Sequence, residues 1–139
     1  MADPLSATSA LVGLVTFSYQ ASKGLRDTIN SFKQHPKYVR DLQDELSALE
    51  GVLLLLEQSL ATAGTEDYQA LEYPIQRCGH ACHEFQQALQ KCLGRVHGDA
   101  SSFRGWLKIR WIGNDIHGFR DTLAGYKSTI AIAMAGVNL

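Results

Sequence analysis

Seven apolar residues follow Pro36 at alternating spacings of three and four: Val39, Leu42, Leu46, Leu49, Leu53, Leu56 and Leu60. That period places all seven on one stripe of a long α-helix. At about 1.5–3 kcal/mol for each buried side chain, the stripe offers roughly 10–20 kcal/mol of gross burial. A helix with such a seam is not stable alone in water and must be covered by other helices.

A first helix is predicted from about Leu5 to Phe32, with Asp3-Pro4 as its start: an acidic side chain at the positive end of the helix dipole, and proline in the first turn. Its stripe is Leu11, Val15, Ser18, Ser22, Leu25, Ile29 and Phe32, which is weaker in the middle. Gln34-His35-Pro36 ends it and opens the second helix, which runs to about Ala63 before Gly64-Thr65. A third is predicted from Pro74, or from as early as Glu66, to Val96, with Ile75, Cys78, Cys82, Phe85, Leu89, Cys92 and Val96 in alternating three-four spacing. After a loop at 98–102, a fourth segment carries Ile109, Ile112, Ile116, Phe119, Leu123, Tyr126, Ile130 and Met134, with Gly113-Asn114-Asp115 able to bend or split it. No stretch alternates with period two for long enough to argue a sheet. The expected fold is all-α: one domain over 1–139, a bundle of four to five long, mostly antiparallel helices. A chain of 139 residues, 45% hydrophobic and 19% charged, has the size and composition for such a core.

The formal charge of −1 is unevenly spread. Residues 36–72 carry eight acidic and two basic side chains, whereas 73–139 carry eight basic and four acidic. Neighbouring helices can pair these charges, or the basic half can favour an anionic surface. The three cysteines, Cys78, Cys82 and Cys92, match no disulfide framework, and no secretory signal is visible. Both features fit a reducing, intracellular compartment.

Three patterns invite a chemical reading. Cys78, His80, Cys82 and His83 suggest a metal cluster, but on a helix His80 projects about 200° from Cys78. Both cysteines also lie on the apolar stripe, where free Cys packs as a small hydrophobe. Gly125-Tyr126-Lys127-Ser128-Thr129 echoes a phosphate loop, yet Tyr126 separates the glycine from the lysine and the segment sits inside a helical pattern. The five histidines and the serines form no recognisable catalytic set. The sequence therefore points to no catalytic residue, cofactor or metal ligand, and to a protein that is not an enzyme.

Two stretches are candidates for a membrane. Residues 4–22 carry no charge, though seven of these nineteen are Ser, Thr or Gln. Leu5, Leu11, Val12, Leu14, Val15 and Phe17 are the membrane-insertion candidates there, on a helix buried at rest and released into a bilayer. The alternative is ordinary core packing. Arg104, Trp106, Lys108, Arg110 and Trp111 interleave cations with indoles, which suits a membrane surface. Their alternative is tryptophans completing the core beside solvated cations. Near-neutral charge and the lack of a binding motif argue against nucleic acid.

The opening Met1-Ala2-Asp3-Pro4-Leu5-Ser6, the Ser22-Lys23-Gly24-Leu25 step, and the Leu42-to-Leu56 run with Asp44-Glu45-Leu46 resemble the fungal HeLo-like N-terminal domains. So does the ending, Leu123 to Ile130 followed by Ala131-Ile132-Ala133. The resemblance covers almost the whole chain, although 64–112 matches only in pattern. It implies the N-terminal domain of a longer NACHT/STAND-type signalling protein, cytoplasmic at rest and at the plasma membrane when activated. The activity it implies is self-association and membrane permeabilisation in regulated cell death. The implied partners are further copies of the chain, membrane lipids including anionic ones, and a C-terminal regulatory domain of the same chain. The inserting element would be the segment around Leu5–Phe17. A second expectation is a homotypic or partner-binding adaptor without membrane activity.

Overall fold

In the computed structural model the residues described are 4–31, 37–63, 66–96 and 113–137. They form four long helices and no strand: α1 (Pro4–Asn30), α2 (Lys37–Ala63), a 3-10 turn (Glu66–Leu71), α3 (Glu72–Val96) and α4 (Gly113–Val137). Local sequence explains most of the boundaries. Pro4 opens α1, where its missing N–H would have no intrahelical acceptor. Ser31 closes the helix, its amide donating to Asp27 and Thr28 carbonyls and its hydroxyl to Thr28 O at 2.6 Å. α2 begins directly after Pro36 and stops before Gly64. Pro74 lies at the third position of α3, still within the turn that needs no donor.

All seven residues of the α2 stripe are buried, none more than 5% exposed. They meet Leu11, Val15, Leu25 and Ile29 of α1, Ile75, Cys78, Cys82, Phe85 and Leu89 of α3, and Ile116, Leu123 and Ile130 of α4 in one core. Tyr68 and Leu71 anchor the 3-10 turn to the same core.

Cross-helix contacts fix the arrangement. Arg26 reaches Glu50 and Asn30 reaches Gln43, so α1 and α2 run antiparallel. Ser18 bonds to Ile75 and Ser22 approaches Cys82, so α1 and α3 run parallel. Asp41 meets Arg120 and Glu45 meets Lys127, so α2 and α4 are also parallel. Helices consecutive in the chain are antiparallel, while α1 lies between α2 and α3, and α2 between α1 and α4. The 3-10 turn carries the chain across one end, from α2 to the diagonally placed α3. α3 and α4 touch more lightly than the other neighbours, which leaves a seam between them.

The charge asymmetry resolves into pairing. Three α2 carboxylates, Asp41, Glu45 and Glu50, bind Arg120, Lys127 and Arg26 on the flanking helices.

Candidate functional site: the first helix and its clamp

Within α1 the candidate residues fall on different sides. Leu11 and Val15 are core residues, 3% and 0% exposed. Val12 and Leu14 are half-buried and pack against the core edge. Phe17, also half-buried, wedges its ring between two imidazoles of α3, with centroids 5.7 Å from His80 and 5.9 Å from His83. Gly13 faces solvent, and a Cβ there would meet nothing within 4 Å. Leu5 lies in the first turn of α1, before the first residue whose side chain is described. The apolar side of this segment therefore faces inward, and presenting it to a bilayer requires leaving the bundle.

From Ala10 to Phe17 no side chain makes a hydrogen bond or ion pair with another described residue; apolar and ring contacts alone hold this stretch. From Ser18 onward polar bonds take over. The buried Ser18 hydroxyl donates to Ile75 O at 2.8 Å, crossing to α3. Ser22 Oγ donates to Ser18 O at 2.8 Å and lies 3.7 Å from Cys82 Sγ. One turn further, Arg26 grips Glu50 with a hydrogen bond from Nη2 to Oε1 at 3.0 Å and an ion-pair contact of 2.6 Å between Nε and Oε2. The paired, hydrogen-bonded geometry raises the Arg26 pKa further above its already high value. Glu50 is only 6% exposed, so removing Arg26 would leave a buried carboxylate without its ion-pair partner. Asn30 and Gln43 add a last bond between α1 and α2.

α1 and α3 pack tightly around Gly79. A Cβ on Gly79 would lie 2.6 Å from Ser18 Oγ and 2.9 Å from the Phe17 ring, so only glycine fits. Small residues facing one another (Ser18 and Ser22 against Gly79 and Cys82) let two backbones approach, as they do in tightly packed helix pairs. Cys78 and Cys82 are free thiols in this interface. The hydrogen-bonded Cys82 neighbour, and burial, push the Cys78 thiol well above its ordinary pKa. His80 is exposed and turned away from them, and among the described residues no three His, Cys, Asp or Glu side chains gather as a metal site.

The phosphate-loop echo lies within α4, where Lys127 binds Glu45 at 2.9 Å and Thr129 caps back onto Gly125 O. The surface candidates Arg104, Trp106, Lys108, Arg110 and Trp111 lie outside the described residues. No helix among the described residues is long and apolar enough to cross a membrane.

Sequence reasoning missed the clamp itself. Its one signal was the weak middle of the α1 stripe, where two serines replace large apolar residues.

Residues 2–139 match the family described as the pigment biosynthesis cluster protein PigL N-terminal domain. The chain belongs to this fungal domain family. No curated protein and no solved structure matches it.

Proposed function

We propose that this domain is a non-enzymatic, HeLo-like effector that rests as a helical bundle and permeabilises membranes when clustered. The observation that carries this reading is the division of α1. Residues 4–22 are uncharged, while the helix beyond is pinned by the Arg26–Glu50 pair. Nineteen helical residues span about 28 Å, close to the roughly 30 Å of a bilayer core.

Freeing this arm exposes Leu11 and Val15, at about 3–6 kcal/mol, together with Ala21 and the core-edge contacts of Val12, Leu14 and Tyr19, and breaks two serine bonds, at about 1–3 kcal/mol. That cost is comparable with the whole stability of a typical domain, about 5–15 kcal/mol, so the arm stays packed until something offsets it. Clustering supplies that offset. Arms inserted side by side can satisfy their Ser, Thr and Gln side chains against one another, which a lone arm in lipid cannot do.

In this reading the domain heads a longer NACHT/STAND-type chain in fungal regulated cell death. It moves from the cytoplasm to the plasma membrane on a signal from its C-terminal partner domain. The family's description as an N-terminal domain agrees with that placement. The test is dye release from anionic liposomes by the domain fused to a forced-oligomerisation module. Leakage that requires an uncharged 4–22 supports the reading; a folded, clustered protein that leaves liposomes sealed refutes it.

One observation favours the adaptor alternative. Leu54 and Leu55 stand 43% and 55% exposed on the outer side of α2. As an adaptor the domain would form a stoichiometric complex lost on Leu55→Glu, with no lipid affinity.

A further inference from the structure

The light contact between α3 and α4 opens a groove of about 510 Å³, lined mainly by Tyr73, Gln76, Arg77 and His80 on one wall and Thr122 and Tyr126 on the other. Its volume is in the range of small-molecule sites. The α3 residues recur at spacings of three and four, so they stack on one face over about two turns.

Arg77 is the cation of this groove, and it is held differently from the paired cations of the bundle. Arg26, Arg120 and Lys127 each neutralise a carboxylate of α2. Arg77 has no described carboxylate within 4.0 Å; Tyr73 holds it instead. It donates to the Tyr73 hydroxyl and lies 5.2 Å from the centroid of that residue's ring, with Tyr126 on the facing wall. Such a guanidinium is held in place before any ligand arrives, so less side-chain freedom is lost on binding. Its positive charge remains uncompensated.

Around it the lining offers donors: the Gln76 amide, the His80 imidazole, and the Thr122, Tyr73 and Tyr126 hydroxyls. The carboxylate in the lining, Glu84, sits seven residues from Arg77, about 10 Å along the helix axis. A carboxylate ligand is satisfied by one guanidinium fork. Donors on both walls suit an anion with more oxygens to share.

The geometry points to a phosphate-monoester binding site in the α3–α4 groove, with Arg77 as its charged anchor. The site owes nothing to the release of α1 and stands or falls apart from the membrane reading. Two sources carry this chemistry, a soluble phosphorylated metabolite and a phosphatidic-acid head group.

The test titrates the isotopically labelled domain with glycerol 3-phosphate by NMR. In parallel it measures flotation with phosphatidylcholine vesicles, with and without phosphatidic acid, using Gly13→Asp protein so that arm insertion does not contribute. Amide shifts clustered at Tyr73, Arg77, His80 and Tyr126 support the site with a soluble ligand. Binding only to phosphatidic-acid vesicles, lost in Arg77→Gln, supports it with a lipid ligand. In either arm Arg77→Gln should weaken binding roughly 10–100-fold, the cost of losing a charge-assisted bond. Lys23→Gln, an equal loss of charge on exposed α1 surface, should leave it unchanged. Absence of binding in both arms overturns the site, as does equal weakening by Lys23→Gln.

Discussion

Gly13 sits at the midpoint of the uncharged stretch 4–22, faces solvent in the bundle, and has open space where a side chain would grow. Gly13→Asp therefore separates folding from insertion. In the folded bundle the carboxylate stays in water, and replacing a helix-interior glycine costs no helicity. Stability should hold within about 0.5 kcal/mol, as for an ordinary surface change. In an inserted arm the same carboxylate lies at the bilayer centre, where a charge costs about 2.5–3.5 kcal/mol. At 1.4 kcal/mol per decade, insertion should fall roughly 60–300-fold. The assay is the initial rate of dye release from anionic liposomes by the clustered domain, alongside urea unfolding of the same protein. Gly51→Asp is the control, since Gly51 is equally open but lies on α2. Unchanged leakage with Gly13→Asp, or equal loss with Gly51→Asp, would refute the reasoning. Deleting residues 1–20 is a poorer test, because it removes Leu11, Val15 and Ser18 from the core and unfolds what it is meant to probe.

Further outcomes follow from the clamp and the interior. Gly79→Val forces a branched side chain against Ser18 and Phe17 and should cost about 1–3 kcal/mol in urea unfolding, while Gly51→Val changes little. Arg26→Met strands the buried Glu50 carboxylate and should cost about 2–3 kcal/mol, less than a fully buried pair because Arg26 keeps 32% of its side chain exposed. The Arg26→Met/Glu50→Met double variant should recover most of that loss, read as a double-mutant cycle. Because the Cys78 pKa is raised in the fold, its stabilising effect is complete below the ordinary thiol value of 9.0 and is lost as pH rises above it. Unfolding free energy should therefore fall above pH 9, by at most about 1.4 kcal/mol per pH unit for this group, and Cys78→Ala should flatten that slope.

Periodicity revealed the elements and their buried faces: every α2 stripe residue is in the core, and Ile75, Cys78, Cys82, Phe85 and Leu89 of α3 join it. It did not reveal which faces meet. A stripe specifies that a helix must be covered, not by what, so the parallel pairing of α1 with α3 and the diagonal crossing of the 3-10 turn became visible only in three dimensions. The opposite charges of the two halves were legible as sums, whereas the partners Asp41–Arg120 and Glu45–Lys127 depend on helix order. Ser18 and Ser22 looked like a flaw in the α1 stripe. They face Gly79 and Cys82 where α1 and α3 pack tightly, and a Cβ on Gly79 would not fit. Tyr73 and Arg77 escaped notice because they lie on outer helix positions, where residue type follows no period, and Tyr126 was legible only as a member of the α4 stripe.

The central claim is that the start of α1 leaves the bundle while α2 stays in water. An environment-sensitive fluorophore on Gly13→Cys, in a Cys92→Ser background with Cys78 and Cys82 shielded by burial, reads this directly. On clustering with anionic liposomes the label should brighten and be quenched by nitroxides at the bilayer centre, while the same label at Gly51→Cys stays in water. A position-13 label that remains in water as the liposomes leak would contradict the account.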